Sequence, residues 1–276
     1  MSQLIDNLNT IESIKTDIKA AIENKGVDMT GISFPGYASK IGEISGGGTV
    51  GWDQKSFTEG TIEIINLDNS ASFVASSAFD GNKTIQTVNL PYATIVRNYA
   101  FRSCTSLTQV NLPMCSYISG SAFYGCTSLT QVSLPMCSYI GIRAFQSCIS
   151  LTQVSLPMCS YIGSSAFYTC WDISQVSLPM CSYIGNNAFW QCHPLAQVSL
   201  PMCSYIGSNA FRGCTSLSII TIGYSNICSL NASSTFYNTK ITSSTGSIYV
   251  PTSLVDSYKS AKNWSYFSTQ IFPIPE

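Results

Sequence analysis

The chain is poor in charge. Among its 276 residues, 13 Lys and Arg stand against 14 Asp and Glu, so only 10% are charged and the net charge at pH 7 is −1. Soluble domains average about 25%. A chain this near neutrality has no basic field to attract nucleic acid or an anionic membrane. It holds one histidine, His193, and no Cys-x-x-Cys pair, so zinc-finger spacing is absent. Catalytic material is equally scarce. His193 has no chain-order partner that would suggest a triad, no glycine-rich phosphate loop follows a strand, and Asp172 is the sole carboxylate between residues 100 and 234. No enzymatic activity, cofactor or metal is expected. No apolar run reaches the roughly 18 residues of a membrane helix. Asp6, Glu12 and Asp17 interrupt the place where a signal peptide needs its apolar core. Neither export by that route nor a membrane span is therefore expected.

What the chain does have is repetition. The phrase LPMCSYI stands unchanged at residues 112–118, 134–140, 156–162, 178–184 and 200–206. Phe79, Phe101, Phe123, Phe145, Phe167, Phe189 and Phe211 recur at one constant interval, a period of 22. A strict period of this length is the signature of a solenoid. In the unit at residues 122–143, Leu129, Val132 and Leu134 alternate as a short strand does. Pro135 ends the strand because it donates no backbone hydrogen bond. Ile140, Ala144 and Phe145 then call for a turn or short helical segment over the same interior. One coil cannot bury these side chains alone, whereas a stack of coils buries all of them, in columns about 4.7–4.9 Å apart. With 45% hydrophobic residues, the chain has ample material for a continuous core.

The pattern C-x-x-L-x-x-V-x-L-P followed by I-G-x-x-A-F-x-x-C resembles the BspA-like, or Treponema-type, leucine-rich repeats over about residues 78–236. The tail from Ile248 through Trp264 and Phe267 is similar to the terminal unit of such proteins. The resemblance implies an α/β repeat solenoid, a right-handed leucine-rich repeat fold with a 22-residue period and short parallel strands. It also implies adhesion or recognition rather than catalysis.

Residues 1–25 contain no proline and carry Leu4, Leu8, Ile11, Ile14, Ile18 and Ile22 on one helical face. Such a helix either packs on its own domain or oligomerises, and isoleucine at both a and d positions favours three or four strands, such as a homo-trimer. Residues 14–44 are similar to an N-terminal module of phage and prophage tail-associated proteins. Phe34, Tyr37 and Ile41 are expected to cluster against the helix. The expected organisation is a helical docking or oligomerisation module at 1–45, a glycine-rich tether at 46–50, an N-terminal cap coil at 51–77, the solenoid at 78–247 and a C-terminal cap at 248–276. In the N-terminal cap coil, Ile62, Ile64, Ile65 and Leu67 fall out of the later register, and Trp52 and Phe73 are expected to close the core. In the C-terminal cap a helix is expected over about 253–263, with Ser253 and Asp256 in a capping box. The step from Phe211 to Phe236 is longer than the others by three, so an insertion breaks the period around Cys228.

Eleven of the twelve cysteines, Cys104 to Cys214, lie 11 apart and form two columns of period 22. They read as buried structural thiols. Disulfides between adjacent rungs are sterically conceivable. Three other columns vary where the rest of the repeat does not: the residue after each Phe, the residue four after it, and the residue two before it. They contain Arg102, Tyr124, Arg143, Tyr168, Trp171, Trp190, His193 and Arg212. These positions either drift because they are solvent-exposed, or form a ligand-facing stripe of the residue types that dominate binding hot spots. Two functional classes lead. One is a virion fibre or decoration protein, joined to other virion proteins through the N-terminal module and to a host-surface protein or glycan through the solenoid. The other is a bacterial cell-surface adhesin. A cytoplasmic interaction scaffold fits as a third.

Overall fold

The computed structural model describes residues 64–66, 73–223 and 225–275, and over them the chain is a parallel-stranded solenoid. The N-terminal helix, the cluster of Phe34, Tyr37 and Ile41, the tether and Trp52 lie outside the described residues. Each interior coil supplies two strands rather than the one expected. The first, such as Gln131–Ser133, sets Val132 opposite Val110, with glutamine and serine facing outward. Pro135 stops it, and the chain rounds a corner into Tyr139–Ile140. This second strand stands where a turn or short helix was expected. It pairs Tyr139 with Tyr117 and Tyr161, and Ile140 with Ile118 and Ile162. So short a strand cannot display a period in sequence. Its copies form one unbroken eight-stranded sheet.

Side chains reinforce both sheets at the corners. Ser138 Oγ donates to the Ser116 carbonyl at 3.1 Å and Thr130 Oγ1 to the Thr108 carbonyl at 3.1 Å, and the same bonds recur along both columns. On the outer face of the second sheet, the rings of Tyr117, Tyr139, Tyr161, Tyr183 and Tyr205 stack at 4.3–4.7 Å within 5° of parallel. Inside, eight phenylalanines from Phe79 to Phe236 stack at 5.1–6.0 Å. Such pairs contribute about 0.5–1.5 kcal/mol beyond the area they bury. Gly185 and Gly207 mark where coils approach most closely, since a Cβ on either would lie 2.5 Å from backbone of the preceding coil.

The two ends depart from this order. Ile64 and Ile65 pair opposite Thr87 and Val88, a step one residue longer than that of the later coils, so they do stand out of the later register. Phe73 lies under the guanidinium of Arg97, 4.5 Å from its ring centroid. At the other end the expected helix is reduced to Val255–Ser260 after a 3-10 turn at Thr252–Leu254. The capping box does not form: Leu254 occupies the cap position and no side chain bonds the helix N-terminus. This segment serves the edge of the last second-sheet strand, Ser229–Leu230, instead. Tyr258 Oη accepts from the Cys228 amide at 2.7 Å, Trp264 Nε1 donates to the Cys228 carbonyl at 2.6 Å, and Asn263 Nδ2 donates to the Leu230 carbonyl at 2.7 Å. Three side chains thus bond to backbone groups that a following coil would otherwise satisfy. Phe267 closes the aromatic stack, meeting Phe236 edge-on at 5.4 Å.

A turn-face stripe as candidate functional site

The variable columns sit on the third face, where the chain turns around each buried Ala-Phe pair. The backbone there is far from free. The residue two before each Phe, Ser77, Tyr99, Ser121, Arg143, Ser165, Asn187 or Asn209, is left-handed, with φ between 55° and 59°. The residue two after is left-handed as well, and is glycine only at Gly81, Gly125 and Gly213. Side chains tolerate this conformation poorly, yet the array persists because every second amide reaches the next coil. Ser121, Phe123 and Gly125 donate to the carbonyls of Ile142, Ala144 and Gln146 at 2.8–2.9 Å. The column containing Arg143 is therefore a constrained backbone position, and unconstrained drift does not describe it.

The residue after each Phe points outward, and its copies stack along the solenoid. Tyr168 and Trp190 lie 5.6 Å apart at 37°. The guanidinium of Arg212 sits between Trp190, 4.7 Å from its centroid, and Tyr237, at 4.6 Å. Tyr237 was missed in sequence because the insertion of three hides it. The Phe236-Tyr237 step, matching Phe123-Tyr124 and Phe167-Tyr168, is the signal that finds it. At the other end Arg102 is held by Asp80 through two hydrogen bonds, Nε to Oδ1 at 2.8 Å and Nη2 to Oδ2 at 2.5 Å. It also lies 5.0 Å over the ring of Tyr99. Arg102 and Arg212 are thus largely engaged within the protein. Tyr124 is half-buried between these two groups, and Arg143 is exposed.

Trp171 differs from the other rings of the stripe. Its side chain is 47% exposed, and among the described residues no ring or guanidinium stacks on it. Ile149 precedes it in the column and His193 follows. His193 Nδ1 is 3.0 Å from the Gly213 carbonyl. A carbonyl only accepts, so Nδ1 carries a proton and the ring is tied to the fold. The structure therefore brings Tyr168, Trp190 and Arg212 into one stacked row, and Trp171 and His193 belong to the column three residues further on in each coil. Arg102, Tyr124 and Arg143 lie toward the N-terminal end.

The first-sheet face offers a second surface, a shallow depression of about 560 Å³ lined by Gln109, Gln131, Gln153, Asn111 and Ser133. Asn111 Nδ2 donates to Asn89 Oδ1 at 2.8 Å. The surface is uncharged, with Val110 and Val132 set among its amides and hydroxyls. Both cysteine columns are buried and free of disulfides. Cys126 and its copies donate to the carbonyl of a Phe in the preceding coil, at 3.0 Å for Phe101. Burial pushes the thiols of Cys104, Cys126, Cys148 and Cys170 up, and those of Cys115 and Cys159 up to about 11, so these six stay protonated and unreactive at neutral pH. Cys228, buried and with its thiol 3.9 Å from the Ser229 carbonyl, extends the second column through the insertion. Among the described residues no group of three His, Cys, Asp or Glu could hold a metal ion.

Comparison with known proteins decides the family. The BspA type leucine rich repeat region matches residues 52–170 and 138–260, in six copies. This chain belongs to the BspA-type leucine-rich repeat family. Proteins of this repeat class are generally non-catalytic. The solved structure of a leucine rich cell surface protein from Faecalibacterium prausnitzii is similar at 27% identity and a TM-score of 0.53, over 60% of this chain and 48% of that one. The T. pallidum leucine rich repeat protein is similar at 32% identity and a TM-score of 0.51, over 56% of this chain and 76% of that one. The BspA-type chain thus spans about half the length of the Faecalibacterium protein. A search of curated proteins gave no match. Neither similar structure is a phage protein, and the family match begins at residue 52, so the phage-like resemblance of residues 14–44 gains no support. Among the described residues no helix is long and apolar enough to cross a membrane.

Proposed function

We propose that this BspA-type chain is a bacterial cell-surface recognition protein that binds a protein ligand through the turn-face patch of Tyr168, Trp171, Trp190, His193 and Arg212. The cell-surface setting rests on the resemblance to the Faecalibacterium protein. The observation that carries the binding site is the Trp171 indole, half exposed and without a ring partner, beside an ordered column of Tyr, Trp and Arg. A large rigid side chain held open at the centre of such a patch is the usual anchor of a protein interface. A protein is favoured over a sugar because Tyr168, Trp190 and Tyr237 turn their ring faces toward one another or toward Arg212 and present edges outward.

The test is attachment of the intact chain to fixed epithelial monolayers pretreated with either protease or periodate. The Trp171→Ala/Trp190→Ala double variant is compared with the parent at matched thermal stability. Attachment is expected to fall at least tenfold in the double variant and after protease, and to survive periodate. Undiminished attachment by the double variant would sink the patch. Sensitivity to periodate alone would replace the protein ligand with a glycan.

A further inference from the structure

An exposed apolar column lies away from the turn face, at the corner between the two sheets. Tyr92, the five methionines at equal steps from Met114 to Met202, and Ile227 form one column. Tyr92 is 48% exposed, the methionines 42–52% and Ile227 40%. The coil core does not need them there, because Leu112, Cys115 and Ile118 of the same phrase and their copies already fill the interior. The tyrosine column is satisfied by its own stacking, but no such contact holds the methionines. An uninterrupted ridge of seven large apolar side chains with no charge in it marks a surface that is covered in the working molecule. Methionine, unbranched and polarizable, is the residue that adapts to an apolar partner of any detailed shape.

We infer that the chain's own N-terminal segment, residues 4–22, docks as an amphipathic helix along this methionine ridge. Three observations select that occupant. First, the lengths agree: six coil-to-coil steps at the strand spacing make a ridge of about 28 Å, and a helix from Leu4 to Ile22 is about 27 Å long. Second, the apolar sets agree. The stripe Leu4, Leu8, Ile11, Ile14, Ile18 and Ile22 offers six large apolar side chains along one helical face, with Lys15 beside Ile11 and Ile18 long enough to turn its ammonium to solvent and Asp6 and Asp17 on the far side. Third, the connection is ample. The stretch of chain between Ile22 and Ile64 includes Ser45-Gly46-Gly47-Gly48 and far exceeds what is needed to reach any point of the ridge. The inference is independent of the turn-face patch, which lies on another face.

The ridge supplies its own probe. Hydrogen peroxide transfers one oxygen atom to a methionine thioether, giving the sulfoxide and water, and mass spectrometry of peptides gives a rate for each position. In the full chain Met136, Met158 and Met180 are expected to oxidise at least tenfold more slowly than in the Ile11→Asp/Ile14→Asp/Ile18→Asp variant, at a solution mass equal to one chain. The reciprocal change, Met158→Glu/Met180→Glu, is expected to speed tryptic cleavage after Lys15 and Lys19 while the far-ultraviolet spectrum stays unchanged. Equal oxidation rates in parent and triple variant would overturn the inference. Protection that rises with protein concentration together with a doubled mass would overturn it too, and would assign the ridge to a second copy.

Discussion

The interior coils and the C-terminal cap solve the same problem by opposite means. In the interior every edge of the second sheet meets an identical strand, so backbone pairs with backbone and Tyr with Tyr, and Phe stacks on Phe inside, while the first-strand ladder is interrupted after Gln131–Ser133 and again after Gln175–Ser177. At the cap the second sheet gains no further strand among the described residues. The edge of Ser229–Leu230 is met by Tyr258, Asn263 and Trp264, three different side chains from a short helix and the turn after it. The contrast explains why the repeat can be almost identical for five units and then must change completely. Repetition is self-satisfying only between two like neighbours, and an unpaired edge invites another chain unless it is covered.

The interior is where a single change should do most damage. Phe145 is fully buried and stacked on both sides, at 5.1 and 5.3 Å, so Phe145→Ala is expected to cost roughly 3–5 kcal/mol in urea unfolding. A loss below about 1 kcal/mol, less than a core methyl deletion costs, would mean that the stack is ornamental. At the cap, Trp264→Ala should cost about 3 kcal/mol, the low end of that range, because an end can relax where a middle cannot. Its distinctive effect is concentration-dependent self-association in light scattering, as the carbonyl of Cys228 and the face of Phe236 open to other chains. Destabilisation without association would show that covering the edge is not the cap's task. The smallest effect separates the two regions by pH. A thiol whose pKa is raised on folding gives full stability below its ordinary value near 9 and loses it as pH climbs toward the folded value, since the unfolded chain ionises first. Cys115 and Cys159, pushed by burial to about 11, lose that support between pH 9 and 11. Tyr258 in the cap, pushed by burial to about 12, loses its own between pH 10 and 12. The Cys115→Ala variant should therefore lose less stability than the parent from pH 9 to 11, by about 2 kcal/mol. Parallel pH profiles would refute the assignment.

Much of the fold could be read from residues alone. The constant step from Phe79 to Phe211 places the aromatic stack, Val132 and Pro135 bound the first strand, and the regular spacing of the cysteines puts both of their columns inside. The turn-face residues could be listed by their variation, but not their state. Arg102 and Arg212 are engaged by Asp80 and by Trp190 with Tyr237, and Trp171 stays exposed. Those outcomes depend on neighbours one whole coil away. A column of variable residues gives no hint of which ones satisfy each other.

The order of residues was enough to dictate the solenoid, its pitch and its core, because a strict period forces each side chain against its own copy. The folded stack was needed for three things: the second strand at Tyr139–Ile140, the left-handed backbone at Ser121 and Arg143, and the service of Tyr258, Asn263 and Trp264 to a distant edge. It also set the methionines of the invariant phrase outside. Each of these follows from which backbone groups find a partner in the adjacent coil. That is a property of the stack, and no single repeat carries it.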